Sequence, residues 1–272
     1  MCIMFVYRNP DAGPSEYKLI LIANRDEFYT RPADPAHYWT DYPGCLGGTD
    51  MEPGRENGTW LAVNHTNARI GVILNLHGNP KSTNTKGRGF LVRDYLTDPD
   101  STIEHANKLH KTNQETHCYS PYNFVMVEMK SCDIFYLSSE ENYPGPKKID
   151  KSILGCGNSG LETPYQKVLF GEKQFKNIVK NAKTSDQQRL MEDLIELLKS
   201  TKRHLPDKEL EKRASKEQNE LSSIFVHHEK AKYGTRTHTI ILVDNADKLT
   251  FIEETMMTDG TWKRQTFNNL ME

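Results

Sequence analysis

Lys18-Leu19-Ile20-Leu21-Ile22-Ala23-Asn24-Arg25-Asp26-Glu27 is the stretch that decides how the chain folds. An apolar strand, Lys18 to Ala23, runs straight into four polar residues. Upstream, Cys2-Ile3-Met4-Phe5-Val6-Tyr7 reads as an earlier short strand, and the Pro/Gly turn Asn9-Pro10-Asp11-Ala12-Gly13-Pro14 lies between the two. The chain therefore opens on a hairpin. Its geometry places Arg25 and Asp26 near Cys2.

The same pattern of strand pairs recurs downstream. Thr59 to Val63 pairs with Arg69 to Leu74, Tyr122 to Met129 with Asp133 to Leu137, and Thr237 to Val243 with Leu249 to Glu253. Helices are expected between the pairs, at Gly89 to Leu96, Thr102 to Leu109, Pro164 to Asn181 and Asp186 to Ser200. The last carries Leu190, Leu194, Ile195 and Leu198 at helical spacing, and Ser185 with Gln188 fits a capping box at its start. Antiparallel pairs at both ends with helices in the middle indicate an α+β design of layered antiparallel sheets covered by helices. No composition break marks a boundary, so residues 1–272 read as a single domain. Ser200 to Lys232 is polar and of mixed charge, and reads as a solvated helix or loop.

Composition narrows the function. Thirty-five Lys and Arg against 37 Asp and Glu leave a formal charge of -2. That balance argues against nucleic acid or an anionic membrane surface as the main partner, since both are bound through surplus positive charge. Five cysteines, an odd number with no C-x-x-C pair, indicate free thiols in a reducing compartment. No apolar run approaches the roughly 18 residues of a membrane helix, so no transmembrane segment is expected and the cytoplasm is the default location.

Several residues are candidates for chemistry. Cys2 follows Met1, and a small second residue permits removal of the initiator Met. The freed α-amine would then act as general base for the thiol of the same residue. An Arg beside a thiol lowers its pKa and an Asp can orient an amine, which gives Arg25 and Asp26 roles. As a surface turn with a local ion pair, the same tetrapeptide would need neither. Asn75, at the end of Arg69-Ile70-Gly71-Val72-Ile73-Leu74-Asn75, and Asn158, within Leu154-Gly155-Cys156-Gly157-Asn158-Ser159-Gly160, are amides able to donate to an oxyanion; each also suits a turn. In Tyr233-Gly234-Thr235-Arg236-Thr237-His238-Thr239, strand alternation puts Arg236 and His238 on one face, where they could meet a carboxylate. No H-E-x-x-H or C-x-x-C-H occurs, and neither Gly87-Arg88-Gly89 nor Gly47-Gly48-Thr49 has Walker spacing, so neither a fixed metal nor a nucleotide is expected. One axial His, Cys or Tyr ligand to haem iron needs no motif.

Together these segments resemble the transport and Golgi organisation protein 2 family, also known by its NRDE motif, here Asn24-Arg25-Asp26-Glu27. The likeness is carried by Met1-Cys2-Ile3, Leu21 to Tyr29, Gly58-Thr59-Trp60-Leu61, Gly87-Arg88-Gly89, Leu161-Glu162-Thr163-Pro164 and Tyr233 to Asp244. The resemblance implies an N-terminal-nucleophile αββα sandwich. The chain is also similar, more remotely, to cysteine amidohydrolases of bile-salt and penicillin type. By order and context Cys2, Arg25, Asp26, Asn75, Asn158 and Arg236 then match the catalytic set. Those enzymes space their Arg and Asp three apart, whereas here the two are adjacent, which leaves the acidic role open between Asp26 and Glu27. The family itself implies a carrier: an intracellular haem chaperone that moves haem from storage or mitochondrial compartments to the cytosol, with a link to lipid homeostasis. On that reading haem is the transported ligand, its donor and acceptor proteins are the partners, and Asn24, Arg25, Asp26, Glu27, Arg236 and His238 are candidates to bind it. A Cys2-dependent amidohydrolase or acyltransferase, or an acyl-CoA-binding protein, is the alternative. An adaptor at Golgi or mitochondrial membranes ranks last.

Overall fold

A computed structural model describes residues 1–77, 86–116 and 118–271. The contacts fall into two compact units, Met1–Thr30 with Lys151–Leu270, and Arg31–Asp150 with the chain's last residues. The chain leaves the first unit after its opening hairpin and returns to it late. A linker-seeking reading of composition has nothing to find at such a crossing.

The opening hairpin is β1 (Ile3–Arg8) and β2 (Tyr17–Phe28). The chain then builds the second unit from β3 (Ala33–Tyr38), β4 (Cys45–Asp50), β5 (Leu61–Asn64) and β6 (Arg69–Asn75). Two helices follow, α1 (Gly89–Thr97) and α2 (Thr102–Thr116), and then β7 (Tyr122–Glu128), β8 (Asp133–Ser138) and β9 (Lys147–Ile149). These strands form an antiparallel meander in sequence order, β3 to β9. Leu91, Val92, Tyr95 and Leu96 of α1 join Phe124, Met126 and Leu137 in its core.

Back in the first unit come β10 (Ile153–Cys156), α3 (Gln166–Val179), α4 (Gln187–Leu198), α5 (Lys208–Ala214) and α6 (Gln218–Leu221). The chain ends with β11 (His227–His228), β12 (Tyr233–Asp244), β13 (Lys248–Met256) and β14 (Trp262–Leu270). Their sheet runs β10-β1-β2-β12-β13-β14, with β11 on β12. Each pairing is antiparallel. Among the described residues fourteen strands in two sheets, with helices on them, make the fold the expected α+β type. Among the described residues no helix is long and apolar enough to cross a membrane.

The core of the first unit forms where one face of this sheet meets its helices. Ile3, Phe5, Ile20, Ile22, Ile240 and Leu242 pack with Val168, Phe175, Leu194 and Leu198. Alternation along each strand selects those six, and a spacing of four along α4 selects its leucines. Gly171 sets how closely α3 lies on β1: a Cβ there would fall 2.2 Å from the Phe5 ring.

Three expectations are corrected. First, Asn24 to Glu27 do not follow the strand but lie inside it, because β12 supplies a partner for each. Second, Ser185 caps nothing: α4 begins after Asp186, and no side chain caps it. Third, the stretch 200–232 is not simply a solvated face. Leu210, Leu221, Ile224 and Val226 belong to the core, and the buried carboxylate of Asp207 accepts from the backbone N–H of Leu210 in α5 and that of Gln166 in α3. The pattern hides this because single apolar residues are spaced among many charges.

Candidate functional site

The pairing of β1 with β2 sets Ile3 opposite Asn24, and β12 sets His238 opposite Asn24 and Thr235 opposite Asp26. Directly opposed residues share a face. Asn24 and Asp26 therefore point with Ile3 to the helix-covered face, while Arg25 and Glu27 point with Cys2 to the other. The NRDE tetrapeptide is thus two pairs rather than one cluster.

On the helix side, Asp26 organises a buried network. Its Oδ2 lies 3.2 Å from the α-amine of Met1, and its Oδ1 accepts from Thr235 Oγ1 at 2.7 Å. Thr235 Oγ1 in turn accepts from the N–H of Val226 at 2.9 Å. The Tyr233 hydroxyl accepts from the Met1 amine and donates to the Asp26 carbonyl at 3.2 Å. Lys167 of α3, almost wholly buried, donates to the carbonyls of Ser223 at 2.9 Å and Met1 at 3.4 Å. Burial pulls the Lys167 ammonium down to about 8, against the opposing pull of Asp26, Cys2 and Asp207. Burial also pushes the Tyr233 phenol well up, and Asp26 and Cys2 add to the push.

The Cys2 thiol sits at the edge of this network. It accepts from the N–H of Asp26 at 3.4 Å and faces the Asp26 carbonyl at 3.7 Å. Burial raises its pKa above the ordinary thiol value; the Met1 amine pulls it down, Asp26 pushes it up, and the Asp26 N–H and Arg25 pull it down. Burial comes first among these, so Cys2 is held as a neutral thiol.

Asn24 and His238 lock to each other. The Asn24 amide donates to the carbonyls of Leu198 at 2.8 Å and Ile224 at 3.0 Å, which turns its Oδ1 toward His238 Nδ1, 2.6 Å away. His238 Nδ1 must then carry the proton. Trp262 stacks on the same ring at 4.7 Å, and burial holds the imidazole neutral with a pKa of about 3.

Arg236 occupies a β-bulge. The register steps from Thr235 opposite Asp26 to Thr237 opposite Arg25, leaving Arg236 as the extra residue. Simple alternation therefore does not carry across it, which is why Thr235 and His238, three apart, bond to β2 residues on one face. Arg236 donates to the Phe28 carbonyl at 3.0 Å. Burial lowers its pKa, and the neighbouring charge of Arg25 lowers it further, while Glu27 and Tyr29 oppose. Arg25 and Arg236, both buried, thus stand as two like charges side by side.

Of the residues singled out in the sequence, Cys2, Arg25, Asp26 and Arg236 come together here. Glu27 accepts from the next residue's own N–H at 2.9 Å, while the carboxylate 3.2 Å from the Met1 amine is that of Asp26. Asn158 is buried in the loop after β10, its carbonyl accepting from Tyr165 at 3.3 Å. Asn75 belongs to the second unit, at the end of β6 opposite Tyr122. Sequence reading missed Lys167, Tyr233 and Thr235. Tyr233 and Thr235 lie inside the stretch already quoted, Tyr233 to Thr239, at the alternate positions i and i+2. Lys167 had no such signal: α3 also carries the exposed Lys173 and Lys176, and nothing in the sequence separates it from them. Among the described residues no three or more His, Cys, Asp or Glu are placed to hold a metal ion together.

Comparison with known proteins gives four likenesses. The family described as Transport and Golgi organisation 2 matches residues 1–258. The Transport and Golgi organization protein 2 of Drosophila melanogaster is 38% identical over 97% of this chain and 96% of its own length. The Homo sapiens homologue is 32% identical over 98% of each. Among solved structures, a variant of the conjugated bile acid hydrolase from Clostridium perfringens aligns over 99% of this chain and 98% of that one, with a TM-score of 0.50 at 8% identity. At that identity the likeness concerns the fold, which is of the N-terminal-nucleophile hydrolase type.

Proposed function

The chain belongs to the Transport and Golgi organisation 2 family, and from that premise we propose that it is an intracellular haem-trafficking protein, taking haem from a storage or mitochondrial compartment and releasing it in the cytosol. The observation that carries this reading is the pair of buried guanidiniums, Arg25 on β2 and Arg236 at the bulge of β12, near enough for the charge of one to act on the other. Two like charges out of water are costly together, and a ligand bringing two carboxylates offsets both the repulsion and the desolvation. Haem is such a dianion, and one donor atom from the protein suffices to hold its iron. Haemin titrated into the protein should give saturable binding with a Soret shift, and the loaded protein should pass haem to an apo-acceptor. Absence of both overturns the reading. Replacing Arg236 by Ala should weaken haemin binding about tenfold, the share of one charge-assisted contact.

A second reading is favoured by one observation, the contact of Cys2 with Asp26 beside a free α-amine in a hydrolase-type fold. In a chain that keeps Met1 the amine belongs to the residue before the nucleophile, and the thiol is neutral. Removal of Met1 would transfer the free amine to Cys2 and make the residue an amidohydrolase or acyltransferase nucleophile. Cys2→Ala would then abolish turnover of amides or acyl thioesters. If the protein only binds acyl-CoA, as the link to lipid homeostasis suggests, affinity for CoA survives that substitution.

A further inference from the structure

The two-residue β11 aside, four strands form the outer edges of the two sheets: β10 and β14 in one, β3 and β9 in the other. Three of these are closed to further pairing. β10 is four residues long and buried throughout, and Glu172 of α3 accepts from the N–H of Gly155 at 2.9 Å. β9 has three residues, and β3 carries Pro35 and a break in register between Asp34 and His37. Short length, proline, bulges and covering elements are the usual means by which a sheet edge is kept from pairing with another chain.

β14 has none of them. Its nine residues, Trp262-Lys263-Arg264-Gln265-Thr266-Phe267-Asn268-Asn269-Leu270, contain no Pro or Gly and pair with β13 without a shift in register. Among the described residues β13 is its one strand partner, so alternate N–H and C=O groups along it point away from the sheet. None of the nine is buried. Leu270 at its end is 69% exposed, the most of the large apolar side chains described.

The charges of the strand select its partner. Lys263 and Arg264 are the only charged residues in it, and they stand together near its start. A parallel copy in register would set each of them against itself. An antiparallel copy related by a two-fold axis pairs residues that share a face, so the axis passes through a single residue, and full overlap of the nine puts it at Thr266. Lys263 then meets Asn269 of the second copy, Arg264 meets Asn268, and the exposed Leu270 meets Trp262. Moving the axis to Arg264 would oppose two guanidiniums. Like charges directly opposite destabilise a strand pair, and covering Leu270 takes apolar surface out of water.

We propose that the edge of β14 is a self-association surface, through which two copies of the chain join by antiparallel β14 strands with Thr266 on the axis, making one sheet continuous across the dimer. Such an interface uses the same patch on both copies. It is independent of either reading of the Cys2 site.

The test is sedimentation equilibrium of the full chain over a range of micromolar concentrations, where the wild type should show a reversible monomer–dimer equilibrium. Asn268→Glu, facing Arg264 of the second copy, should lower the dissociation constant, and Asn268→Lys should raise it. Each shift should be about 2- to 30-fold, since the cross-strand pair occurs twice in the dimer. Both variants lose the same 3.0 Å bond from Thr250, so that loss cannot produce shifts of opposite sign. Thr266→Cys should cross-link the dimer through position 266 on mild oxidation, because directly opposed Cα atoms lie about 4.5–5.5 Å apart, within disulfide range. Lys263→Cys should give no link at position 263, and peptide mass identifies the bond in each case. A wild type that is monomeric at every concentration overturns the proposal. So does a dimer whose constant fails to move in opposite directions in the two Asn268 variants, or one that Thr266→Cys does not cross-link, for that dimer uses another surface.

Discussion

The α-amine of Met1 and the carboxylate of Asp26 form an ion pair 3.2 Å apart, with both side chains closed to solvent. The pair ties the first residue of the chain to β2 at a point two residues from its end, and Tyr233 and Thr235 of β12 complete the coordination of both charges. β2 and β12 therefore both contribute to holding it. The position of Cys2 follows, since its thiol bonds the backbone of that same aspartate.

Removing one partner of a buried ion pair leaves the other uncompensated, which typically costs about 3–5 kcal/mol. Asp26→Asn keeps the shape and removes the charge, so it should lower unfolding stability by about 3 kcal/mol or more in a denaturant titration. Glu27→Gln, next in sequence but on the other face of β2 and only partly buried, should cost less, about 1 kcal/mol, the centre of the range for point substitutions. Equal effects of the two substitutions would refute the division of the motif into two faces.

Lys167 supplies a pH signature. Its native pKa of about 8 lies below the ordinary 10.5. Between those values the unfolded chain binds more protons than the native one, so stability rises with pH across that window. Below it the cost of burying the ammonium is present in full. The wild type should therefore gain about 2–3 kcal/mol relative to Lys167→Met between pH 8 and pH 10.5, from the roughly 1.4 kcal/mol per pKa unit of linkage. The difference between the two proteins is the quantity to measure, since cysteines and tyrosines titrate in the same range in both. Parallel pH profiles would mean that Lys167 is not buried as an ammonium.

The sequence made the hairpin, the later strand pairs and the longer helices legible, because each carries its period in a run of apolar residues. Tyr17 to Phe28 shows where that legibility stops. Its polar end looked like a turn because polarity was taken for solvent exposure, yet Asn24, Arg25 and Asp26 are all buried. They remain inside because β12 brings matching polar groups, and pairing between distant strands leaves no local trace. The bulge at Arg236 is equally silent, since one extra residue alters no composition. Cys2, Arg25, Asp26 and Arg236 could still be picked out by their chemistry, whereas Lys167 could not, as nothing in a helix of mixed charge distinguishes the one lysine that faces inward.

Reactivity of Cys2 is the next expectation. With Met1 in place, burial raises its pKa and leaves little thiolate at neutral pH. Pulse alkylation with iodoacetamide, read by peptide mass, should label Cys2 more slowly than a free cysteine, with a pH midpoint above the ordinary thiol range. In any fraction that has lost Met1, the same residue should label faster than the buried Cys45 and Cys156, whose thiols burial pushes up to about 12. Fast labelling of the Met1-bearing form would contradict the neutral thiol and favour the hydrolase reading without processing.

Asp207 offers the sharpest check on the stretch between α4 and β11. One carboxylate caps two helices: Oδ1 accepts from Leu210 at 3.0 Å, and Oδ2 from Gln166 at 2.7 Å. Loss of a single cap costs about 1 kcal/mol and up to about 2, and here the freed N–H groups are buried. Asp207→Ala should therefore cost about 2–4 kcal/mol, whereas Asp207→Asn, which keeps one acceptor oxygen, should cost roughly half as much. The order of the two variants matters more than either value. If both behave as surface substitutions, within about 0.5 kcal/mol of wild type, the stretch is solvated after all, and α3 is held over the Met1–Asp26 pair by Lys167 and its apolar face without Asp207.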